Sequence, residues 1–481
     1  MNFKIILRAL GFLLFVEGIA MILALIISLV YNEHDQYAFM ISAGINILLG
    51  LIFVFLTSHS NRDIGRKEGY IIVSLVWIVF SFSGSLPYII SGAIPNFTNA
   101  FFETISGFTT TGSSVLLDIE SLPHGILFWR SITQWLGGMG IIVLSLAVLP
   151  VFGIGGMQLF MAEVPGPTPD KISPRIRQTA KTLWFIYLGF TLTETLLLWL
   201  GGLNLFDAVC HSFTTMATGG FSTKQDSIGH WSSPFVQYVI IVFMFFAGTN
   251  FTLSYLAIKG KFKRMFKDEE YRYYRLFVLL FTLVIFTGLV ISSGSGIEKA
   301  FRESLFQVVS IMTTTGYVTT DYLSWPPFLT IIIFALFFFG GSAGSTGGSI
   351  KIMRIVLLLK NSYYELRRMV HPHAVIPVSF NKHSVDSKII TNVLAFFIFY
   401  FLVFAAGVII FTIFEPDLKS SMGAVATALG NIGPGLGNVG PAENFYHIEP
   451  FGKWFLSFLM LLGRLELFTV LVIFSPFFWK E

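Results

Sequence analysis

The sequence predicts an all-α polytopic membrane protein in which a unit of helix, half-length helix, loop and helix recurs four times. Composition is the first observation, because 54% of the 481 residues are hydrophobic and only 12% are charged. A soluble domain carries about 25% charged residues. The second observation is a short glycine-containing motif that occurs four times. Each copy ends an apolar segment that is too short to cross a bilayer, which indicates an internal repeat with fourfold pseudo-symmetry.

Two extra apolar segments precede the repeats. The first runs from the basic residues Lys4 and Arg8 to about Tyr31. It is too long for a signal-peptide core and has no small-residue cleavage site, so we expect a retained helix. The second covers about 38–57. We therefore assign residues 1–66 to two N-terminal transmembrane helices.

Each repeat then contributes a leading helix, a half helix and a trailing helix. We assign the repeats to residues 67–160, 161–262, 263–372 and 373–481. The leading helices are predicted at 70–92, 178–201, 274–293 and 386–413. The half helices are predicted at 98–109, 205–216, 299–313 and 419–430, and the trailing helices at 124–150, 234–258, 327–357 and 451–478. The total is ten crossings and four re-entrant segments.

The basic residues orient this topology. Of the 31 lysines and arginines, 24 fall in the N-terminus, the C-terminus and the segments 59–69, 161–181, 259–275 and 351–388. By the positive-inside rule these regions are cytoplasmic, as are both termini, and the half helices enter from outside. The single cysteine, Cys210, excludes an internal disulfide.

The four motifs follow the half helices directly. They read Thr109-Thr110-Thr111-Gly112-Ser113, Met216-Ala217-Thr218-Gly219-Gly220-Phe221, Thr313-Thr314-Thr315-Gly316-Tyr317 and Gly430-Asn431-Ile432-Gly433-Pro434. Threonine and glycine offer no acid, base or thiol, but they offer backbone carbonyls and unusual backbone angles. Four such strands around one axis would make rings of carbonyl oxygens, which replace the hydration shell of an ion in a potassium filter. A plain glycine C-cap would explain one copy, but not four in the same context.

A second unusual stretch interrupts the trailing helix of the third repeat. It comprises Gly340, Gly341, Ser342, Ala343, Gly344, Ser345, Thr346, Gly347, Gly348 and Ser349. Each glycine costs about 1 kcal/mol relative to alanine in a helix, so a regular helix is excluded. The stretch lacks the Gly-Lys-Ser/Thr ending of a phosphate-binding loop. We interpret it as a mobile gate below the filter; the alternative is a static kink that lets two helices pack closely.

Two ionisable residues in the apolar segments have predicted roles. Arg464 lies near the middle of 451–478, roughly 20 Å from either end of a continuous helix. An ionisable group at this depth is a functional hypothesis by default. Facing the pore, it would raise a barrier to cations; the alternative is an arginine tied to carbonyls at a helix contact. Glu103, on the first half helix, is expected to hold neighbouring backbone.

Together these motifs resemble the Trk/Ktr/HKT superfamily of potassium transporters. The resemblance covers essentially the whole chain, and the two extra leading helices are similar to its bacterial members. It implies a single-chain pseudo-tetramer of K⁺-channel-like units that takes up K⁺, the transported ion, with no other cofactor. It also implies a bacterial inner-membrane location, a homodimer, and a cytoplasmic TrkA-like ring that binds nucleotide. The lipid bilayer is the remaining partner, and no nucleic acid is expected.

The resemblance also assigns the sites. The filter glycines correspond to Gly112, Gly219, Gly316 and Gly433. The ion is held by the backbone carbonyls of Thr110, Thr111, Ala217, Thr218, Thr314, Thr315, Asn431 and Ile432. The stretch 340–349 and Arg464 match the gate loop and the pore arginine of the family.

Two other classes of function compete with this one. An H⁺- or Na⁺-coupled cation transporter with alternating access would differ by moving its ion against the electrochemical gradient. A polytopic enzyme would need converging acids, histidines or metal ligands at membrane depth. The sequence has neither a His-Glu-x-x-His motif nor an aspartate pair inside a span. The prediction is therefore a transport protein and not an enzyme.

Overall fold

The computed structural model describes residues 2–57, 65–140, 176–294, 296–374 and 376–480, and these are mostly helical. The two N-terminal helices, Phe3–Tyr31 and Gln36–Leu56, pack against each other through small residues. A Cβ atom added at Gly11 would lie 2.9 Å from the carbonyl oxygen of Gly50. Such close approach is how helices associate in a membrane, where the hydrophobic effect does not hold them together.

Six described helices are long and apolar enough to cross a membrane. They are Phe3–Tyr31, Gln36–Leu56, Lys67–Ile90, Lys181–Leu200, Glu269–Ser292 and Ser387–Phe411. Two bent helix pairs raise the number to eight if each pair is one span. Of the ten predicted crossings, 124–150 extends beyond residue 140 and so lies partly outside the described residues. The remaining predicted crossing, 327–357, is divided into two helices, Pro327–Leu336 and Ile352–Val370.

The leading helices and half helices lie close to their predicted bounds. The leading helices are Arg66–Gly84 with the short Leu86–Ile90, then Ile176–Leu200, Glu269–Ser293 and Ser387–Phe411. The half helices are Phe97–Phe108, Leu205–Met216, Ile297–Met312 and Leu418–Gly430. Their 12 to 16 residues give a length of about 18–24 Å, which is too short to cross a bilayer.

The trailing helices are interrupted more often than the sequence predicts. Continuous helices at 234–258 and 451–478 were wrong. The structure has Pro234–Ala247 followed by Phe251–Ile258 at 110°, and Pro450–Arg464 followed by Phe468–Phe474 at 116°. In the first repeat, His124–Trp135 passes into a π-helical turn, Leu136–Gly140. The predicted break at 340–349 is confirmed, and it is wider, because the helices end at Leu336 and resume at Ile352.

The additional bends have local causes. After the second-repeat helix ends, the side chain of Asn250 accepts a hydrogen bond from the N–H of Thr252 at 2.8 Å and so caps a new helix. After Arg464, Glu466 and Leu467 adopt φ angles of 53° and 57°. Two consecutive left-handed residues cannot continue a right-handed helix, so the chain turns there.

The basic segments carry small ordered elements. A short helix, Phe262–Lys267, precedes the third leading helix. The long helix Ile352–Val370 is followed by a hairpin of Ser379–Phe380 and His383–Ser384. The two turn residues, Asn381 and Lys382, have φ angles of 48° and 67°, as a two-residue type I′ turn requires. The final helix is Pro476–Trp479.

Candidate functional site

The four half helices direct their C-terminal ends at buried loops. Three of the four start at a side-chain cap, with Asn96, Asn204 and Asp417 accepting hydrogen bonds from backbone N–H groups. The C-terminal end of a helix carries a partial negative charge, so four such ends aimed at one region favour a cation there.

The loops that follow share one backbone conformation. In each, two residues with positive φ are separated by one residue, and the middle residue donates its N–H to the carbonyl five residues back. The pairs are Thr110 and Gly112 (φ 54° and 84°), Thr218 and Gly220 (53° and 76°), Thr314 and Gly316 (60° and 81°), and Asn431 and Gly433 (54° and 100°). The N–H donors are Thr111, Gly219, Thr315 and Ile432.

This pattern changes the register of the second loop. The sequence prediction matched Gly219 to Gly112, because Thr218-Gly219 repeats the Thr-Gly pair of the first and third motifs. In the structure Gly220 has the positive φ that Gly112 has, whereas Gly219 occupies the middle position held by Thr111. The end of the half helix determines the register, because the N–H groups of Gly219 and Thr111 both bond to the carbonyl five residues before them.

The four loops contact one another in a closed ring. A Cβ atom added at Gly112 would lie 2.2 Å from the carbonyl oxygen of Gly219, and one added at Gly220 would lie 2.0 Å from the carbonyl oxygen of Thr315. A Cβ atom added at Gly316 would lie 1.8 Å from the carbonyl oxygen of Ile432. One added at Gly433 would lie 3.0 Å from the carbonyl oxygen of Thr111. Each glycine therefore abuts the middle residue of the next loop, and the fourth loop returns to the first. A side chain at the first three of these glycines would collide with a carbonyl group, and one at Gly433 would be in tight contact with one.

Several carbonyl oxygens of this ring have no donor within the described parts of the chain. The residues that carry them are buried, with at most 1% of their surface exposed. They are Thr110, Thr111, Thr218, Thr314, Thr315, Asn431 and Ile432. Buried carbonyls normally have a hydrogen-bond partner. A cluster of buried carbonyls without donors can instead coordinate a cation that has lost its water.

Two carbonyls of the second loop, that of the predicted ligand Ala217 and that of Gly219, do accept hydrogen bonds. The carbonyl of Ala217 accepts a hydrogen bond from the Thr218 hydroxyl at 2.6 Å. The carbonyl of Gly219 accepts one from the side-chain amide of Gln134 at 2.7 Å. Side-chain donors therefore occupy two carbonyls of the second loop.

A buried ion pair supports the first and second loops from behind. Arg130 Nε donates to Glu103 Oε1 at 2.9 Å, and Arg130 Nη1 donates to the carbonyl of Ser222 at 3.0 Å. Glu103 Oε2 in turn accepts the N–H of Val115 at 2.9 Å. The supporting role predicted for Glu103 is confirmed. The pair ties the chain after the first loop to the chain after the second.

The glycine-rich stretch 340–349 lies directly against three loops where they leave their half helices. The Thr346 hydroxyl donates to the carbonyl of Met216 at 3.1 Å, and the N–H of Gly348 donates to the Thr314 hydroxyl at 2.7 Å. A Cβ atom added at Gly348 would lie 2.5 Å from the carbonyl of Gly430. The stretch thus contacts the second, third and fourth half-helix ends.

The stretch is also fastened on its other side. The N–H of Ala343 donates to Glu270 Oε1 at 2.7 Å, and the N–H of Met353 donates to the same oxygen at 3.2 Å. The N–H of Ser342 donates to the carbonyl of Gly248 at 2.8 Å, at the bend of the second trailing helix. One carboxylate therefore links the stretch to the helix that follows it.

Arg464 lies at the broken end of its helix, next to both the loops and the glycine-rich stretch. Its Nη1 donates to the Thr110 hydroxyl at 3.2 Å and to the carbonyl of Thr346 at 2.9 Å, and its Nη2 donates to the carbonyls of Gly137 and Gly138. The two sequence interpretations therefore combine, because the arginine is tied to carbonyls and also contacts a loop residue. Arg464 and the stretch together reach all four loops.

Sequence reasoning missed several site residues. It did not single out Gln134, Arg130, Glu270 or the ion pair of Arg354 with Glu466. Arg130 lies within a predicted apolar segment, and a charge at such a position was a usable signal. The partners of Gln134 are 85 and 87 residues away in the chain, so no local pattern reveals them.

Comparison with known proteins gives concordant matches. The family model for TrkH, described as a cation transport protein, matches residues 35–481. The Trk system potassium uptake protein TrkH of Escherichia coli K12 is 41% identical over 489 residues, covering 100% of both chains, and TrkG of the same organism is 34% identical over 99% of both. The crystal structure of the potassium transporter TrkH from Vibrio parahaemolyticus matches with a TM-score of 0.89 and 38% identity, covering 100% of both chains.

Proposed function

Because the chain belongs to the TrkH family of cation transport proteins, a family of transporters and not of enzymes, we propose that it takes up K⁺ through the ring of four loops. The location proposed is the bacterial inner membrane, with both termini in the cytoplasm. The four repeats, at about 67–160, 161–262, 263–372 and 373–481, would each supply one quarter of a pseudo-tetrameric pore. K⁺ is the transported substrate.

One observation carries this proposal above the others. Seven buried carbonyl oxygens without a described donor belong to four loops that follow half-helix C-termini and contact one another in a ring. Carbonyl oxygens in such number can replace the water around K⁺, and the helix ends add a favourable potential for a cation. The filter would comprise Thr110–Gly112, Ala217–Gly220, Thr314–Gly316 and Asn431–Gly433. In the second loop, Gly220 would take the role that the sequence prediction assigned to Gly219.

The gate of this pore would be formed by residues 340–349 and Arg464. Both contact the inner ends of the loops, through Gly348 to Thr314 and through Arg464 to Thr110. An ion leaving the filter toward the cytoplasm would meet the guanidinium charge and a stretch held by hydrogen bonds. Opening would require those bonds to break, together with movement of the helix Ile352–Val370.

Control by other proteins rests on the family alone. The relatives carry the name Trk system, and we propose that a TrkA-like nucleotide-binding ring acts on the cytoplasmic side. The ring would act by moving the helix Ile352–Val370, because that helix directly follows the glycine-rich stretch in the chain. A homodimer is proposed on the same ground. The alternative function remains an H⁺- or Na⁺-coupled transporter with alternating access.

Uptake of radiolabelled Rb⁺ into liposomes that contain the purified chain tests the proposal. Wild type is compared with Gly112→Ala, and Gly260→Ala is the control, because Gly260 also has positive φ (72°) but no heavy atom within 4 Å of its added Cβ. We expect K⁺ but not Na⁺ to block uptake by wild type and the control. The contrast between the two ions should fall in Gly112→Ala, where the Cβ meets a carbonyl at 2.2 Å.

Equal competition by K⁺ and Na⁺ in wild type would refute the filter. Rb⁺ accumulation against its electrochemical gradient, driven by H⁺ or Na⁺, would favour the coupled transporter. If the chain alone is closed, K⁺-specific stabilisation of the purified protein against heat provides the same test without flux, since an ion bound to the native state raises its stability.

A further inference from the structure

Gln134 bridges the first repeat to the loop of the second. It lies in the last turn of the helix His124–Trp135, and its side chain is fully buried. Its Nε2 donates to the carbonyl oxygen of Gly219 at 2.7 Å, and its Oε1 accepts the N–H of Phe221 at 3.0 Å. The amide therefore spans Gly220 and holds both sides of it.

The missing side chain of Gly219 makes this bridge possible. A Cβ atom added at Gly219 would lie 2.3 Å from Cδ of Gln134. The equivalent middle residues of the other loops are Thr111, Thr315 and Ile432, which all carry side chains. The second loop thus needs two adjacent glycines for different reasons. Gly220 provides the positive φ angle, and Gly219 provides room for the amide.

The bridge replaces a support that the second loop lacks. In the first loop the hydroxyls of Thr109 and Thr111 bond to each other at 2.8 Å, and in the third loop those of Thr313 and Thr315 do the same at 2.8 Å. Ala217 and Gly219 occupy these positions in the second loop and have no hydroxyls. Gln134 holds that loop from outside instead.

The bridge also changes one member of the carbonyl ring. The carbonyls of Thr111, Thr315 and Ile432 have no donor among the residues that the structure describes, whereas that of Gly219 has the amide of Gln134. A hydrogen bond occupies one lone pair and lowers the electron density available to a cation. The choice between ions depends on the number and field strength of the coordinating carbonyls.

We propose that Gln134 is a positioning residue for ion selectivity. It sets the position and the field of the Gly219 carbonyl, and so makes the ring chemically unequal in one quarter. This inference rests on the proposed filter. It goes beyond it by assigning part of the discrimination between K⁺ and Na⁺ to a side chain outside the four loops.

The test compares Gln134→Leu and Gln134→Glu with wild type. Leucine removes both hydrogen bonds at similar volume, and glutamate keeps the acceptor for Phe221 but replaces the donor to Gly219 with an oxygen. Gln237→Leu is the matched control, because Gln237 is a buried amide that donates to the carbonyl of Trp231 at 2.9 Å and accepts from Arg302. It touches none of the four loops through these bonds. The readouts are Rb⁺ uptake with K⁺ or Na⁺ competing, and the difference in unfolding temperature between KCl and NaCl.

We expect the preference for K⁺ over Na⁺ to fall about tenfold, or about 1.4 kcal/mol, in both Gln134 variants, because both lose at least the hydrogen bond to the Gly219 carbonyl and free the loop to shift. The control should keep the wild-type preference even if its stability falls. A wild-type preference in either Gln134 variant would overturn the inference. So would failure of both variants to fold where Gln237→Leu folds, since the role would then be structural only. Failure of the filter itself is distinguishable, because wild type would then show no preference.

Discussion

Substitution of Gly316 by alanine is the sharpest perturbation of the ring. The added Cβ would lie 1.8 Å from the carbonyl oxygen of Ile432 and 3.0 Å from Cδ of Pro434. Ordinary contact begins at 3.4 Å, so the fourth loop must withdraw by more than 1 Å or the third must change its backbone. A binding site must hold its geometry within about 0.5 Å. The φ angle of 81° adds strain on the order of 1–3 kcal/mol for a residue with a Cβ.

Two effects therefore act at once, and a control separates them. Gly92 has a φ angle of 77° and no heavy atom within 4 Å of its added Cβ. Gly92→Ala therefore carries the backbone strain without the collision. We expect both variants to unfold at a lower temperature than wild type. Only Gly316→Ala should lose the preference for K⁺ over Na⁺, by at least about tenfold, or about 1.4 kcal/mol.

The assay is Rb⁺ uptake into liposomes at fixed protein, with K⁺ or Na⁺ titrated as competitor. Unfolding temperatures of the same preparations in KCl and NaCl provide a measurement independent of flux. Gly316→Ala with the wild-type preference would refute the reasoning, because a loop that tolerates a Cβ at 1.8 Å cannot be the ring described above. Equal loss of preference in Gly92→Ala would also refute it.

Three further predictions concern the proposed gate and the buried carboxyl group of Asp35. Arg464→Met should raise Rb⁺ uptake in the absence of the regulator about tenfold, because it removes the guanidinium group and its hydrogen bonds to Thr110 and Thr346. Arg464→Lys keeps the charge and should raise uptake less. Unchanged uptake in the Met variant would contradict the proposed gate. Glu270→Ala should also raise this uptake, since two hydrogen bonds are lost, each worth roughly 0.5–1.5 kcal/mol, and Glu270→Gln, which keeps an acceptor oxygen, should have a smaller effect in the same flux assay. Burial raises the pKa of Asp35, in the connection before Gln36–Leu56, above its ordinary value of about 4, so its stabilising contribution is present at low pH and lost as pH rises through the folded-state pKa. Asp35→Asn should therefore gain unfolding temperature over wild type between pH 4 and 7, and a gap that does not change with pH would contradict the assignment.

Much of the architecture was predictable because the bilayer imposes strong local rules. Backbone in a membrane must satisfy its hydrogen bonds internally, so apolar length alone marks helices, and segments of half that length stand out. The half helix Leu205–Met216 has the bounds that the sequence predicted. The break at 340–349 was also predictable, because clustered glycine disfavours helix wherever it occurs.

The bends at Gly248 to Asn250 and after Arg464 were not predictable in the same way. Neither segment is as rich in glycine as 340–349, and most residues of 451–478 are apolar. The chain bends there because Asn250 caps a new helix and because Glu466 and Leu467 adopt left-handed angles beside the Arg354 ion pair. Such conformations are stabilised by contacts from other repeats, which a local pattern does not contain.

The sequence by itself determined the class of the protein, its leading and half helices, its four loops and the chemistry that backbone carbonyls offer. Those features follow from composition, periodicity and the conformational freedom of glycine, which are local properties. Only the tertiary structure decided the register of the second loop, the closed ring of glycine and carbonyl contacts, and the bridge from Gln134. These depend on residues brought together from distant parts of the chain. For that reason Gly219 and Gly220 look interchangeable in the sequence, whereas in the structure one makes room for an amide and the other makes the turn.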